Sequence, residues 1–159
     1  MSLILAFLCI FFIGSCHQDG PSYDRHVKYQ LKTLGFPYQI DDDGDFLIYR
    51  ALPEGRKQNV WVSSVREKDS GIVYREIFSM AKDYKGLAPL EVSNNLLIQN
   101  YSENRLGAWS LLQVDNYYIL LYIVRIPVNN DSNWLYTAIT ETALSADDME
   151  RRLSDIDQY

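Results

Sequence analysis

The sequence predicts a single α+β domain built on an antiparallel sheet of about five to six strands. Apolar residues recur near the helical period of 3.6 at both ends of the domain and alternate with a period of two in between. Clusters of Asp, Asn, Gly and Pro separate the alternating segments, as turns do. The predicted order of elements is α-ββββ-α-ββ-α.

The first predicted helix begins after Ser22, whose hydroxyl can cap it. Four residues form its apolar side: Tyr23, Val27, Leu31 and Leu34. Gly35 stands where a left-handed residue would end the helix, and Pro37 prevents its continuation.

Four strands in meander order are predicted next, over residues 38–40, 46–51, 59–65 and 72–80. The connecting residues 41–45, 53–55 and 68–71 are rich in Asp, Gly and Pro, which suit turns. Gly86 and Pro89 then break the chain before a second helix, predicted over residues 90–101.

Two further strands, 108–114 and 117–126, are joined by a turn at Asp115 and Asn116. The second of these strands is apolar on both faces, which predicts a central or otherwise buried place in the sheet. Asp131 or Ser132 is expected to cap a long final helix. The apolar side of that helix contains Leu135, Ile139, Thr142, Ala146, Met149, Leu153 and Ile156.

The chain starts with an unbroken apolar run over residues 3–13. A membrane-spanning helix needs roughly 20 apolar residues, whereas a secretory signal has an apolar region of roughly 7–15 residues. Directly after the run, Ile13, Gly14, Ser15 and Cys16 resemble the lipobox of bacterial lipoproteins. We therefore predict a removed signal over residues 1–15, lipid attachment at Cys16, a lipidated tether over 16–22 and a folded domain over 23–159.

One feature of this start does not fit the usual signal, and one other interpretation of Cys16 stays open. No Lys or Arg precedes the apolar run, although a signal normally begins with positive charge. We therefore expect the true start codon to lie upstream of Met1. The alternative to lipidation is an ordinary cleaved signal, with Cys16 only a small residue near the cleavage site.

Composition narrows the classes of function. The chain carries a net charge of −6, which argues against a nucleic-acid-binding protein because phosphates require clustered Lys and Arg. Cys9 would leave with the signal and Cys16 would be acylated. No thiol would then remain for a disulfide, a zinc site or a nucleophile.

No motif in the sequence indicates catalysis or a cofactor. The acidic residues 41–45 invite a comparison with a calcium loop, but aligning Gly44 with the required glycine puts Gln39 first and Arg50 twelfth. Neither residue is a suitable calcium ligand for its position, so we interpret this segment as a solvated turn. A looser ion site at the tip of the hairpin is the alternative. His17 and His26 lie in no known pattern. We predict no catalytic residue, no metal and no cofactor, and the protein is not expected to be an enzyme.

Several local patterns resemble one known group of proteins. An acidic-glycine turn leads into a strand over 41–48, and residues 59–64 read NVWVSS. A helix with Asn94, Leu96, Leu97 and Asn100 precedes residues 107–111, which read GAWSL. The final helix contains Ala143, Ala146, Asp147 and Glu150. These features resemble the YbjN-like and type III secretion chaperone-like group over residues 23–153. The resemblance implies a small adaptor or chaperone-like domain that binds protein partners, often as a homodimer.

The aromatic residues Trp61, Trp109, Tyr118 and Tyr122 are the candidates for partner contact, should one face of the sheet be uncovered. The preferred interpretation places them in a core beneath three helices. The leading hypothesis is a lipid-anchored, non-enzymatic protein-binding module of the bacterial envelope, attached to the cell membrane or outer membrane, which binds an unknown protein through its sheet or a helix-lined groove. One alternative is an envelope enzyme or small-ligand binder with an unmarked carboxylate site. The other is a cytosolic secretion-chaperone-like protein with a miscalled start.

Overall fold

The computed structural model describes residues 21–103, 106–154 and 156–159. Within these residues three α-helices and seven strands follow the predicted order, with one added strand. The helices are α1 (Arg25–Leu34), α2 (Leu90–Ser102) and α3 (Ser132–Leu153), and a 3₁₀ turn covers Pro53–Gly55. The strands are β1 (Tyr38–Ile40), β2 (Phe46–Ala51), β3 (Lys57–Val62), β4 (Glu67–Asp69), β5 (Ile72–Lys85), β6 (Gly107–Val114) and β7 (Tyr117–Pro127).

All strand pairs are antiparallel, and the sheet has the order β1-β2-β3-β5-β7-β6, with β4 paired to β5 outside this path. The α+β class is confirmed. β7, which is apolar on both faces, lies inside the sheet between β5 and β6, as predicted. Both edges of β7 are hydrogen-bonded to neighbouring strands and one of its faces packs against α3, which accounts for the apolar residues on that face.

The sheet has seven strands rather than the predicted five to six. Lys68 and Asp69 belong to β4 rather than to a turn, and the turn itself is Ser70-Gly71, both with positive φ. β4 is fully exposed, so it has no apolar alternation from which it could be predicted. The neighbouring strands also differ in length: β3 is Lys57–Val62, and β5 continues past residue 80 to Lys85.

Helix α1 begins two residues later than predicted, because its cap is Asp24 rather than Ser22. The Asp24 carboxylate accepts a hydrogen bond of 2.8 Å from the backbone N–H of His26. The predicted end is confirmed: Gly35 has φ 72° and closes the helix with bonds to the carbonyls of Leu31 and Lys32.

Helix α3 is capped by Asp131, whose carboxylate accepts a 2.9 Å hydrogen bond from the Trp134 N–H. The helix ends at Leu153, so Ile156 lies beyond it and is exposed rather than part of its apolar side. None of the helices in the described part of the chain is long and apolar enough to cross a bilayer.

The three helices pack on one face of the sheet, here called the covered face. α3 contacts β3, β5 and β7, α1 packs against α3, and α2 lies against β6. Alternate strand residues point into this core: Phe46, Ile48, Val60, Val62, Ile77, Leu120, Tyr122, Val124 and Ile126 are all at most 2 % exposed.

The domain's N-terminal residues are fixed beside the β1–β2 turn. Gly44 has φ 87°, and a Cβ atom there would overlap the carbonyl oxygen of Ser22. Only glycine therefore lets the backbone at residue 22 lie against this turn. The predicted signal over residues 1–15, the lipobox and the attachment residue Cys16 lie outside the described residues and stay predictions.

Candidate functional site: the uncovered face of the sheet

The second face of the sheet is not covered by any helix of the described residues. Strand register places one residue of each strand of the main path in a single row across it. The row is Gln39, Leu47, Trp61, Phe78, Ile123 and Ala108. A neighbouring row contains Met80, Leu121 and Ser110. We call the apolar and aromatic residues of this surface the open face: Leu47, Tyr49, Trp61, Phe78, Met80, Ala108, Ile119, Leu121 and Ile123. Leu121 is only 6 % exposed, because its neighbours on the same face surround it, whereas Tyr49 is 47 % exposed.

Two stacked aromatic rings lie in the middle of the open face. The rings of Trp61 and Phe78 lie 5.7 Å apart with an angle of 5° between their planes. Both side chains are half-buried, because they shield each other without being covered from above. Strands spaced about 4.8 Å apart make the six-strand row roughly 24 Å wide.

Among the described residues, the charged side chains of this face lie towards its two ends, with Glu76 and Arg125 at one end and Asp83 and Lys85 at the other; Asp83 is paired in register with Ile119. At one end, Arg125 Nη2 and Glu76 Oε1 form an ion pair of 2.6 Å across β7 and β5. At the other end, Lys85 is paired in register with Tyr117, which is 47 % exposed. An apolar centre with a polar margin is the usual arrangement of a protein–protein interface.

The structure divides the four predicted partner-contact residues between two environments. Trp61 lies on the open face. Trp109 and Tyr122 lie on the covered face, where their rings meet edge to face at 5.0 Å and are 7 % and 0 % exposed. Tyr118 is half-buried and shares the side of β7 that carries Tyr122. The prediction that these residues belong to the core is therefore correct for Trp109 and Tyr122, and it is wrong for Trp61.

Three open-face residues, Leu47, Phe78 and Ile123, were not singled out from the sequence. Each alternates correctly within its own strand, but strand register alone brings them together with Trp61. Tyr49 also lies on the same side of β2 as Leu47, so it is on the open face and 47 % exposed. The register of β2 against β3 and β5 depends on contacts between distant residues, so the surface could not be identified from the sequence alone.

A second cluster of functional groups contains three carboxylates, those of Asp147, Glu150 and Asp157, with oxygen atoms within 4.8 Å of one another. Arg56 lies among them. Its Nη2 is 3.1 Å from Glu150 and 3.3 Å from Asp157, and its Nε donates to Asp147. The hydrogen bond with Asp147 is the main reason that the pKa of Arg56 is raised. The guanidinium of Arg56 therefore offsets part of the charge of the three carboxylates, and Arg151, whose Nε lies 3.1 Å from Asp147 Oδ2, offsets a further part.

The acidic turn over residues 41–45 uses its carboxylates to hold its own backbone. Asp41 Oδ1 accepts hydrogen bonds from the N–H groups of Asp43 and Asp45, at 3.1 and 2.9 Å. Asp45 in turn accepts a 2.7 Å bond from the N–H of Ser64 and is partly buried, which raises its pKa. These contacts give the turn a structural role of its own.

Comparison with models of known protein families and with curated protein sequences finds no match to this chain.

Proposed function

We propose that the protein is a lipid-anchored, non-enzymatic binding module of the bacterial cell envelope that holds a protein partner on its open face. The open face is the observation that carries the proposal. It is apolar, uncharged at its centre and uncovered by the helices described here. Exposed surfaces of this kind are stable in soluble proteins chiefly where a partner covers them.

The anchoring part of the proposal rests on residues 3–16, where an apolar run of signal length ends in Ile13-Gly14-Ser15-Cys16. A single acyl chain binds membranes only marginally, so the two or three chains of a processed lipoprotein are needed for a stable anchor. The polar residues 17–22 then serve as the tether.

An envelope enzyme would need clustered carboxylates facing a deep pocket. In the described residues, the clustered carboxylates surround Arg56 and bind it instead. This arrangement favours the binding module over the enzyme.

Lipid attachment is tested by growth with labelled palmitate. We expect label in the native chain and in Cys9→Ser, and none in Cys16→Ser, because only Cys16 follows the small residues of the lipobox. Cys9→Ser is the matched control, since it removes the chain's other thiol. A native chain that takes up no label and fractionates with soluble proteins would refute the anchor and favour the cytosolic alternative.

Partner binding is tested by placing the photoreactive residue benzoylphenylalanine at Tyr49 in living cells. We expect a higher-mass cross-linked product, because Tyr49 is an exposed aromatic residue on the open face. The control is the same replacement at Tyr29, which is 68 % exposed but lies on α1, on the other side of the sheet.

A second variant ties the product to the surface. Trp61→Glu places a charge in the aromatic stack, so it should abolish the Tyr49 product, and its unfolding midpoint is measured to show that it folds. Cross-linking from Tyr29 alone, or a Tyr49 product that Trp61→Glu leaves unchanged in a folded chain, would contradict binding at the open face.

A further inference from the structure

A groove separate from the open face lies between helix α2 and strand β6. Its volume is about 190 Å³, and none of the described residues that line it is charged. Its walls are Ser93, Leu96, Leu97, Asn100, Trp109, Ser110, Leu111 and Leu120. Ligand pockets usually measure roughly 300–1,000 Å³, so this groove suits one or two apolar side chains rather than a whole small molecule.

The outer edge of β6 forms one side of this groove. The side chain of Asn100 bonds there as a neighbouring strand would: its Oδ1 accepts from the Trp109 N–H at 2.7 Å, and its Nδ2 donates to the Trp109 carbonyl at 3.2 Å. The Trp109 backbone therefore points away from β7. Since this orientation alternates along a strand, the N–H and C=O groups of Leu111 and Gln113 point outward too.

In the described part of the chain, no protein group forms a hydrogen bond with these outward groups of Leu111 and Gln113. Exposed strand edges usually carry a lysine, a proline or a bulge that prevents another strand from pairing with them. β6 is eight residues long, contains no charged residue and no proline, and pairs with β7 in unbroken register. Its edge is therefore available to a further strand.

We propose that the groove binds an extended, uncharged peptide segment of a partner protein, which adds one strand to the edge of β6. The peptide backbone pairs with Leu111 and Gln113, and an apolar side chain enters the space between Leu96, Leu97 and Leu111. Backbone hydrogen bonds provide the affinity, and the groove selects the side chain. This inference rests on the proposed binding function and adds a second surface and a mode of recognition to it.

Charge and area decide the kind of occupant. A charged side chain in this uncharged groove would lose its hydration without gaining an ionic partner. Pairing over Leu111–Gln113 spans roughly 10 Å of strand. A peptide paired over that length buries much less surface than the about 800 Å² that each partner buries in a stable complex of folded proteins. These dimensions favour a flexible peptide of moderate affinity over a second folded copy of the chain.

The test uses the full chain in detergent and a phage-displayed library of random eight-residue peptides. The enriched peptides should have apolar residues at alternate positions, and a fluorescein-labelled one is used to measure affinity by anisotropy. Gln113→Pro removes one outward N–H at a position where an edge strand tolerates proline, and should weaken binding roughly tenfold. Its control, Gln113→Thr, keeps the N–H and should bind as the native chain does.

A second pair of variants tests the groove itself. Leu97→Asp puts a charge at the mouth of the groove and should weaken binding at least roughly tenfold. Ile98→Asp is the matched control, since Ile98 is similarly exposed on the same helix but lies outside the groove.

Three results would overturn the assignment: no enriched peptide, binding that survives both Gln113→Pro and Leu97→Asp, or a dimer by light scattering that Gln113→Pro dissociates. The last would identify a second copy as the occupant. The peptide assay uses purified chain, so its outcome is independent of the two tests of the proposed function. If Cys16 takes up no palmitate label, or if no cross-link forms at Tyr49, the proposed function is refuted, but peptide binding to β6 is not.

Discussion

Replacing Asp24 by alanine should lower the free energy of unfolding by about 3–5 kcal/mol, because it leaves a buried guanidinium without its counterion. The side chains of Asp24 and Arg75 are 2 % and 1 % exposed, and Arg75 Nη2 lies 2.7 Å from Asp24 Oδ2. The remaining contact of Arg75, a 2.9 Å bond to the Ser63 carbonyl, does not neutralise its charge. The same variant loses the α1 cap, which adds to the effect.

Urea unfolding followed by circular dichroism measures this loss. Asp148→Ala is the matched control, since Asp148 pairs with Arg152 on an exposed part of α3, where removal should change stability by less than about 1 kcal/mol. If both variants lose the same free energy of unfolding, the buried Asp24–Arg75 pair contributes no more to stability than an exposed ion pair.

The same carboxylate makes stability depend on pH. Burial by itself would raise the pKa of Asp24, but hydrogen bonds from Arg75, Arg66 and the His26 N–H outweigh it and lower the pKa to about 2. A depressed pKa stabilises the fold above the unfolded value near 4, by about 2 kcal/mol, and this contribution disappears as the pH falls from about 4 to 2. The native chain should lose it over that interval, and Asp24→Ala should not.

Replacing Arg56 by alanine should also destabilise the fold by about 3–5 kcal/mol. Arg56 forms ion pairs with Asp147 and Glu150, whose side chains are 8 % and 0 % exposed, and so links the residue before β3 to the C-terminal end of α3. Without it, the fully buried Glu150 loses its arginine partner and the neighbouring carboxylates repel one another at short range, although Arg151 still pairs with Asp147.

Urea is the suitable denaturant for this variant, because added guanidinium ions could occupy the vacated position. Millimolar ethylguanidinium should restore part of the stability of Arg56→Ala and leave the native chain unchanged. Arg152→Ala removes an arginine from an exposed pair and is the control. A loss below about 1 kcal/mol in Arg56→Ala, or no rescue by ethylguanidinium, would show that the carboxylates do not need this cation.

The features predicted correctly from the sequence are those set by neighbouring residues. Gly35 ends α1 because its left-handed conformation is a local property, and β7 is interior because its own residues are apolar on both faces. β4 could not be predicted, because its three residues are all exposed and show no apolar pattern. They form a strand only because they pair with β5.

The features that could not be predicted depend on contacts between distant parts of the chain. Ser22 and Asp24 are equally good caps in sequence, and Asp24 is chosen because Arg66 and Arg75, 42 and 51 residues away, require its carboxylate. Arg56 and Glu150 are 94 residues apart. The open face required the registers of five strand pairs, and an error of one residue in any one of them would place the side chains of the shifted strand on the other face.

The position of Ser22 against Gly44 has a consequence for how a lipid-anchored chain would stand on its membrane. Residues 17–21 reach at most roughly 18 Å, so the β1–β2 turn of a lipid-anchored chain would stay within about that distance of the bilayer. The open face would then be confined to a layer close to the lipid headgroups. Partners anchored in the same leaflet would meet it by a two-dimensional search.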